Sequence, residues 1–586
     1  MWKHLYPIIN PQKKRNTTYI NKLLHDGVFS SDPTIITNVM NNFFCGIGHK
    51  IHSEMPDRGN QFQNYLPQRE LRTFFLCPTT VEEITLEIKK LNPRKSPGPD
   101  GISSKIIQMC PDIFAYNLEK IFNHYIEIGI YPEQLKQAKV IALYKKGIRH
   151  DSNNYRPISL LSIINKLFEK IICKQLRAYA EKTKIFYILQ FGFMKLSSTT
   201  LALIEFTDTI RNLLDNGNYA LSFFIDLTKA FDTVDHEILL CKLDRYGIRG
   251  HANSFLRSYL SNRSQFTVVN NVQSKPKPIR CGVPQGSVLG PFLFIIYIND
   301  LYRSINDKVA RLFADDTSLT VHDKKFDRLL IKAKDQFAKF YEWCICNKLK
   351  INLSKTCFLL FHNKNKYIPE AFDKIEINNM LIKREQSVKY IGLIVDEKLN
   401  WGPHVEALCK SLVRYFGIFK QIRPFVCKSI SRQLYYAFIY SRISYAIEVY
   451  GTCSKNNMSK IQTIQNGLIK MLLGLDRMTA TNYVHKSFNV LKVKDIYTVN
   501  VLNIVNNSLL CNCPLSFKDY FIPQTSPYVT RNQGNIQIKR YKTTMGSLAI
   551  NINGAKLWNN LPANIKPYQL RKSFKKHITR HYISNY

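Results

Sequence analysis

The sequence predicts an α+β protein: an antiparallel sheet with helices, followed by a largely helical half. Three observations predict it. β-rich runs such as KVIALYKK and YALSFFIDL alternate with long stretches whose apolar residues recur at helical spacing. The run VARLFADDTSLTV reads as two strands around a polar turn, which is the pattern of a hairpin. Past Trp401 the helical pattern continues almost unbroken to about Leu510. Strands and helices intermixed along the chain, with hairpins among them, favour an α+β sheet over alternating parallel units.

Taken in order, Asp32-Pro33 followed by TIITNVMNNFFCGIGHKI reads as one amphipathic helix. VEEITLEIKKL, from Val81, is a second, closed by the turn-rich NPRKSPGPDG, and helical patterns then cover 102–128. From Ala138 β-rich runs enter. Helices are predicted over 163–182, 199–216, 289–306 and 326–347, with further strands over 358–361 and 388–395. The stretch from Cys511 reads as irregular and then basic. These textures divide the chain into an N-terminal extension, partly helical, at 1–80, the sheet-bearing unit at 81–395, a helical unit at 396–510 and a basic C-terminal region at 511–586.

Composition bounds what such a protein does. Of 586 residues 45% are hydrophobic, which supplies a large core and excludes global disorder. Lys and Arg outnumber Asp and Glu by 83 to 43, a net charge of +40. That imbalance points to a polyanionic partner, most simply nucleic acid, whose phosphates release counterions when neutralised. The basic residues are spread along the chain; Lys13-Lys14-Arg15 is a short run that reads as a solvated loop before it reads as a nuclear signal. No CxxC pair occurs among the 14 cysteines, so they read as reduced thiols and not as zinc ligands. The N-terminus lacks the apolar core of a secretory signal, and the longest strongly apolar run, 288–298, is too short to span a bilayer. The expected location is therefore intracellular, nucleus and/or cytoplasm, with no transmembrane segment.

The acidic residues carry the chemistry. Asp226 ends the apolar strand LSFFID, and Asp315-Asp316 sits at the turn of the VARLFADDTSLTV hairpin. Antiparallel pairing of the two segments would bring these carboxylates together, and strand alternation would send Asp315 and Asp316 to opposite sides. Carboxylates this close raise one another's pKa unless a cation neutralises them. Mg2+ suits such hard oxygen donors, and paired ions can activate a hydroxyl and stabilise a leaving pyrophosphate.

The ordered set FFIDLTKAFDTVDHEILL, GVPQGSVLGPFLF, LFADDTSL and LKINLSKT resembles motifs A to D of reverse transcriptases. Upstream KSPGPDGI and YRPISLL, and the late GAKLWNNLPANIK, resemble sequences of the jockey-like branch of non-LTR retrotransposons. The resemblance implies a right-hand polymerase, with fingers and palm at 81–395 and a helical thumb after them. It implies an RNA-directed DNA polymerase that extends a primer on an RNA template with dNTPs. Asp226, Asp315 and Asp316 would hold two Mg2+ ions, with Mn2+ the alternative. Lys355 matches the motif D lysine that protonates leaving pyrophosphate. Phe231, five residues after Asp226, matches the aromatic that leaves no room for a 2′-hydroxyl. Gln285 and Gly286 match the loop lining the nucleotide pocket, ahead of a helix expected to begin at Ser287 and to attract phosphate with its N-terminus. Lys145, Lys146 and Arg156 match fingers residues that grip a triphosphate; alternation favours only one of the two lysines. One departure stands in QFGFMKLSST, where Met194 occupies a position expected to be basic and Lys195 is the available substitute. Endonuclease, zinc-knuckle and RNase H sequences, which such elements can carry, are not recognisable. The competing reading is a catalytically inactive nucleic-acid-binding remnant of a mobile element.

Overall fold

The computed structural model describes residues 19–586, apart from 26, 307, 364, 370–371, 525–534, 563 and 566–568. The Lys13–Arg15 run lies outside the described residues. Seven residues of almost uninterrupted apolar character, YALSFFI, form strand β5 (Tyr219–Ile225), and every one of them is buried. A strand buried on both faces must lie inside a sheet and under helices. β5 is indeed interior, in a six-stranded sheet ordered β12-β13-β11-β5-β10-β9. The other strands are β9 (Ala310–Phe313), β10 (Asp316–Asp323), β11 (Cys357–Phe361), β12 (Lys374–Ile377) and β13 (Met380–Arg384). β5 runs antiparallel to both β10 and β11, and only β11 and β13 pair in parallel. The mixed α+β class expected from the sequence is therefore the class observed.

A second sheet lies earlier in the chain. Strands β3 (Gln137–Tyr144) and β4 (Tyr155–Leu160) form an antiparallel pair, and β3 runs parallel to β6 (Ser264–Val269). Short strands β7 (Val272–Gln273) and β8 (Lys277–Pro278) both pair with β6. The N-terminal hairpin of β1 (Leu23–His25) and β2 (Val28–Ser30) leads into the helix Pro33–Ser53. Asp32 caps that helix, accepting from Thr34 N, and Pro33 fills its first turn, where no donor is needed. Ile36, Met40 and Phe44 of its apolar stripe meet Val140, Ala142 and Val269 in a small core of their own.

Several predicted elements change shape. The 102–128 pattern is two helices, Ser104–Met109 and Pro111–Ile128, because Pro111 cannot continue the first. The 289–306 pattern ends as an α-helix at Tyr297 and tightens to 3-10 geometry over Asn299–Arg303. The single strand predicted at 388–395 is a hairpin, β14 (Ser387–Tyr390) and β15 (Leu393–Asp396), turned at Ile391 and Gly392 with φ of 42° and 82°. Strands β6, β12 and β13 were not anticipated. Two helices, Ile550–Asn559 and Phe574–Ser584, stand in the region expected to be irregular.

Past Trp401 the chain is helical through Leu509, including Gly402–Val413, Lys455–Leu473 and Val493–Leu509. This region shares one continuous apolar core with the six-stranded sheet, from Phe62 to Ile583. A buried polar knot joins them. On the helix Thr199–Asp215, Asp208 and Arg211 are 2% and 0% exposed and lie 3.5 Å apart. Asp208 accepts from Tyr520 Oη at 2.5 Å and Ile550 N at 2.7 Å; Arg211 donates to Leu548 O and Thr452 Oγ1 at 2.8 and 2.7 Å. Burial pushes Asp208 up and Arg211 down against their mutual attraction, so the knot depends on these added bonds. Asp208→Ala strands the Arg211 charge in the core and is expected to cost about 3 kcal/mol or more in denaturant unfolding. A loss below about 1 kcal/mol contradicts that account.

Among the described residues no helix is long and apolar enough to cross a membrane.

Candidate active site

The site begins with register. β5 and β10 pair antiparallel with Ile225 opposite Thr317, so Asp226 leaves the end of β5 beside Asp316, the first residue of β10. β9 and β10 close through Phe313↔Asp316, which leaves Ala314 and Asp315 as a two-residue turn. Ala314 has φ of 56°, a left-handed conformation costly for a residue with a Cβ. Neighbours hold it there. Gln190 Oε1 accepts from Ala314 N at 3.4 Å and from Gly192 N at 2.9 Å. Gly192 passes so close that an added Cβ would stand 2.2 Å from Ala314 N. The backbone of QFGF therefore clamps the acidic turn, a role that no local pattern in the sequence announces.

Asp226 and Asp315 line one cavity of about 670 Å3, and nearly every residue singled out from the sequence lines it with them: Lys145, Lys146, Arg156, Phe231, Gln285, Gly286 and Lys355. Asp316 does not line this cavity, in keeping with alternation along the hairpin. Its charge still acts there. Burial pushes Asp315 up, and Asp226 adds to the effect. Crowding by protein, then the charges of Asp315 and Asp226, push Asp316 up to about 6, although the residue as a whole is exposed. Asp226 accepts from Asn352 Nδ2 at 3.1 Å and Lys355 Nζ at 2.8 Å through the same oxygen. Asn352, which follows Ile351 of the motif D run, was not anticipated. Its backbone N also donates to Asp226 O, at 2.8 Å.

The donor set suits a hard cation: three coupled carboxylates and no thiol or imidazole. It is not a preformed cage. Among the described residues no group of three His, Cys, Asp or Glu side chains closes around a common point. An ion entering at Asp226 would displace Lys355. That ion pair leaves both side chains more than a third exposed, and pairs of this kind are held by only about 0–1 kcal/mol.

The basic residues of the cavity come from the other sheet: Arg156 lies on β4, and Lys145 and Lys146 directly follow the end of β3. Arg156 stands across from Leu143, and Lys145 N donates to Asn154 O at 2.9 Å. Burial, then the nearby Arg156 and Lys355 charges, lower the Lys145 pKa, which marks a crowded cationic wall suited to an anion. Both Lys145 and Lys146 line the cavity, so its shape does not single out one. Phe231 stacks on Phe294, centroids 4.3 Å apart at 19°, with Phe193 edge-on at 6.4 Å. The loop 282–286 is pinned from both sides: Ser159 N donates to Gln285 O at 2.8 Å, and Val283 N donates to Phe231 O at 2.9 Å. Gly286 sits at φ of 128°, where a Cβ would stand 2.4 Å from Ser159 O.

Three expectations need correction or completion. The helix after this loop spans Leu289–Tyr297, and Ser287 lies before it, with Ser287 Oγ accepting from Gly290 N at 2.9 Å. The N-terminus of that helix is not an anion site: the Glu169 carboxylate already accepts from Val288 N and Leu289 N. Lys195 pairs with Glu181 at 3.2 Å on the surface and is not among the residues lining the cavity. Sequence reading also passed over Lys229 and Asp232, which line the cavity between Asp226 and the Gln285 loop. Burial pushes Asp232 up to about 6 despite the opposing Lys229 charge and the Gln285 bond.

Comparison with known proteins agrees with this arrangement. Residues 143–395 match the family model described as reverse transcriptase (RNA-dependent DNA polymerase). The chain is 29% identical over 441 residues to the probable RNA-directed DNA polymerase from transposon BS of Drosophila melanogaster, covering 71% of this chain and 47% of the relative. It is 28% identical over 447 residues to the RNA-directed DNA polymerase from mobile element jockey of the same organism, covering 74% and 48%. A probable polymerase from transposon X-element, also from Drosophila melanogaster, is 26% identical, covering 70% and 46%. The chain spans about half the length of the curated relatives it matches. Residues 143–395 thus match a reverse transcriptase domain, and about seven-tenths of the chain is similar to the RNA-directed DNA polymerases of jockey and related mobile elements.

Proposed function

We propose that this protein is an RNA-directed DNA polymerase that adds dNTPs to the 3′-hydroxyl of a primer on an RNA template. The observation that carries the proposal is the cavity between the two sheets. Asp226 and Asp315, the basic Lys145, Lys146 and Arg156, and Phe231 and Gln285 all line it together. A deoxynucleoside triphosphate has the complementary character, with an anionic tail, a sugar that lacks one hydroxyl and a reactive phosphorus between them.

In this reading 81–395 are fingers and palm, 396–510 the thumb, and 511–586 a basic extension. Asp226, Asp315 and Asp316 hold Mg2+, and Lys145, Lys146 and Arg156 hold the triphosphate. Bound there, two Mg2+ ions supply activation of the primer hydroxyl and stabilisation of the leaving pyrophosphate. Phe231, braced by Phe294, fills the volume a 2′-hydroxyl would need. Lys355, which lines the same cavity, gives its proton to the departing pyrophosphate. The basic surface follows the template–primer backbone and its shape. The protein works inside the cell, where its RNA template and target DNA are found.

The assay is primer extension on a primed RNA template with dNTPs and Mg2+. The proposal expects incorporation that EDTA stops. Tight template binding with no incorporation under any divalent ion identifies an inactive remnant and overturns it.

A pH prediction follows from the acidic cluster. Asp315 and Asp316 lie above their ordinary values, so the metal-free fold is favoured when they are protonated. That contribution is lost as pH rises through the raised values, which for Asp316 means through about 6. A cation relieves the repulsion only when the carboxylates are ionised. Mg2+ should therefore raise the melting temperature above pH 6 and have little effect well below it. An equal shift at both pH values contradicts carboxylate binding.

A further inference from the structure

The helix Pro33–Ser53 lies before the residues 143–395 that match the reverse transcriptase family, yet it packs against the turn that follows Asp226. That turn carries Phe231 and closes with Asp232 N donating to Lys229 O at 2.8 Å. The cavity loop holds it from one side: Val283 N donates to Phe231 O at 2.9 Å, and Gly282 N donates to Val234 O at 2.8 Å. The helix holds it from the other. His52 Nε2 meets Thr233 O at 2.8 Å, and a carbonyl only accepts, so Nε2 carries the ring proton. The Phe43 ring stands 5.4 Å from Nζ of Lys229, which lines the cavity.

Glycine weakens a helix interior by about 1 kcal/mol relative to alanine, so a buried one calls for a reason. Gly48 has one. It is buried, and an added Cβ would stand 2.2 Å from Asp232 O and 2.5 Å from Cys281 Sγ. Gly46, on the same helix, meets nothing within 4 Å. Gly48 and His52 are four residues apart and share a face of the helix. The helix is itself anchored elsewhere. Buried Asn41 donates to Gln265 O on β6 and to Lys275 O, and accepts from Thr267 Oγ1 at 3.1 Å. The turn is therefore clamped between a fixed helix and the cavity loop, one residue from Phe231.

We propose that Gly48 and His52 are positioning residues that grip the turn 229–233 from behind, so that the Phe231 ring keeps the place from which it excludes a 2′-hydroxyl. The proposal rests on the polymerase reading above and deepens it. Neither residue lines the cavity, so sugar discrimination depends on a helix that touches no substrate. A displacement of about 1 Å at a positioning contact can cost on the order of a hundredfold in rate. Here Phe294 still braces the ring, and a smaller change is expected.

The test is single-nucleotide incorporation with a dNTP and the matching rNTP on one primed RNA template, with melting curves and template–primer affinity for each protein. The wild type, G46A, G48A, H52L, H52Q, F231V and H52L/F231V are compared. G46A makes the same change as G48A on the same helix but into open space, and should leave the dNTP KM and the dNTP-to-rNTP ratio of kcat/KM at wild-type values. G48A should raise the dNTP KM about tenfold, with template–primer affinity within about threefold. H52L should lower the sugar ratio about tenfold. H52Q keeps an N–H donor at similar reach and should keep most of the ratio. H52L should lower it no further in the F231V background, because it acts through that ring. Lost folding alone would lower the active fraction, and with it kcat, while KM and the sugar ratio stayed unmoved. If melting shows G48A unfolded, the H52L and H52Q pair decides. A folded G48A that behaves as G46A, a wild-type ratio in H52L, a loss in H52Q equal to that in H52L, or an undiminished H52L effect in the F231V background overturns the role of the helix alone. A wild type that extends no primer overturns the polymerase reading and this inference with it.

Discussion

Asp315→Asn should reduce nucleotide addition by a factor on the order of 10³ or more while template–primer affinity stays within about threefold. The substitution keeps the side-chain volume and removes one charge. Its effect on folding should be small, and of favourable sign at neutral pH, because burial and Asp226 already hold Asp315 above its ordinary value. Neutralising it removes a repulsion that the metal-free protein carries. A group whose loss stabilises the fold and abolishes turnover is retained for chemistry. Asp226→Asn should act in the same direction. It also releases Lys355 and Asn352, which now share one Asp226 oxygen, so its effect combines lost ion binding with a shifted lysine. Near-wild-type extension by Asp315→Asn contradicts the assignment; lost activity accompanied by a collapsed melting transition would instead mark Asp315 as structural.

Phe231→Val should raise the use of ribonucleotides relative to deoxynucleotides by about a hundredfold, mostly through the ribonucleotide KM. The wild-type ring is held on two sides, stacked on Phe294 and edge-on to Phe193, so it cannot swing aside to admit an added oxygen. Valine keeps an apolar wall but withdraws the outer half of the ring. The lost stacking should cost about 1 kcal/mol of stability, too little to unfold the protein. Equal use of rNTPs and dNTPs by the unmutated protein would contradict the steric role of Phe231 and would favour an RNA polymerase.

The sequence made the centre of this site legible and left its supports hidden, for physical reasons. A wholly apolar strand ending in Asp226 and a hairpin ending in an acidic pair have few ways to pack, and antiparallel pairing joins their ends. Lys145, Lys146, Arg156, Gln285 and Gly286 were named from resemblance and line the same cavity. Asn352 lies 126 residues from the Asp226 it bonds, and Gln190 lies 124 residues from Ala314; no periodicity reports a contact of that separation. Asp232 carries no local signal that sets it apart from Asp235 and Glu237 nearby. Its meaning comes from Gln285, 53 residues on. The Glu169 carboxylate that occupies the helix start at Val288 is hidden in the same way, 119 residues upstream, and sequence reading left that helix end open to phosphate. Where local signals existed and were passed over, they were backbone signals. Pro111 splits a helix, and Gly392 turns one predicted strand into two.

The account stands on three carboxylates acting together on divalent ions, and Mn2+ binding followed by electron paramagnetic resonance tests this most directly. Titrated in the presence of template–primer and dNTP, the wild-type protein should hold two Mn2+ ions, displaced by Mg2+, and a protein carrying both Asp226→Asn and Asp315→Asn should hold neither. Equal Mn2+ uptake by the two proteins would contradict the account.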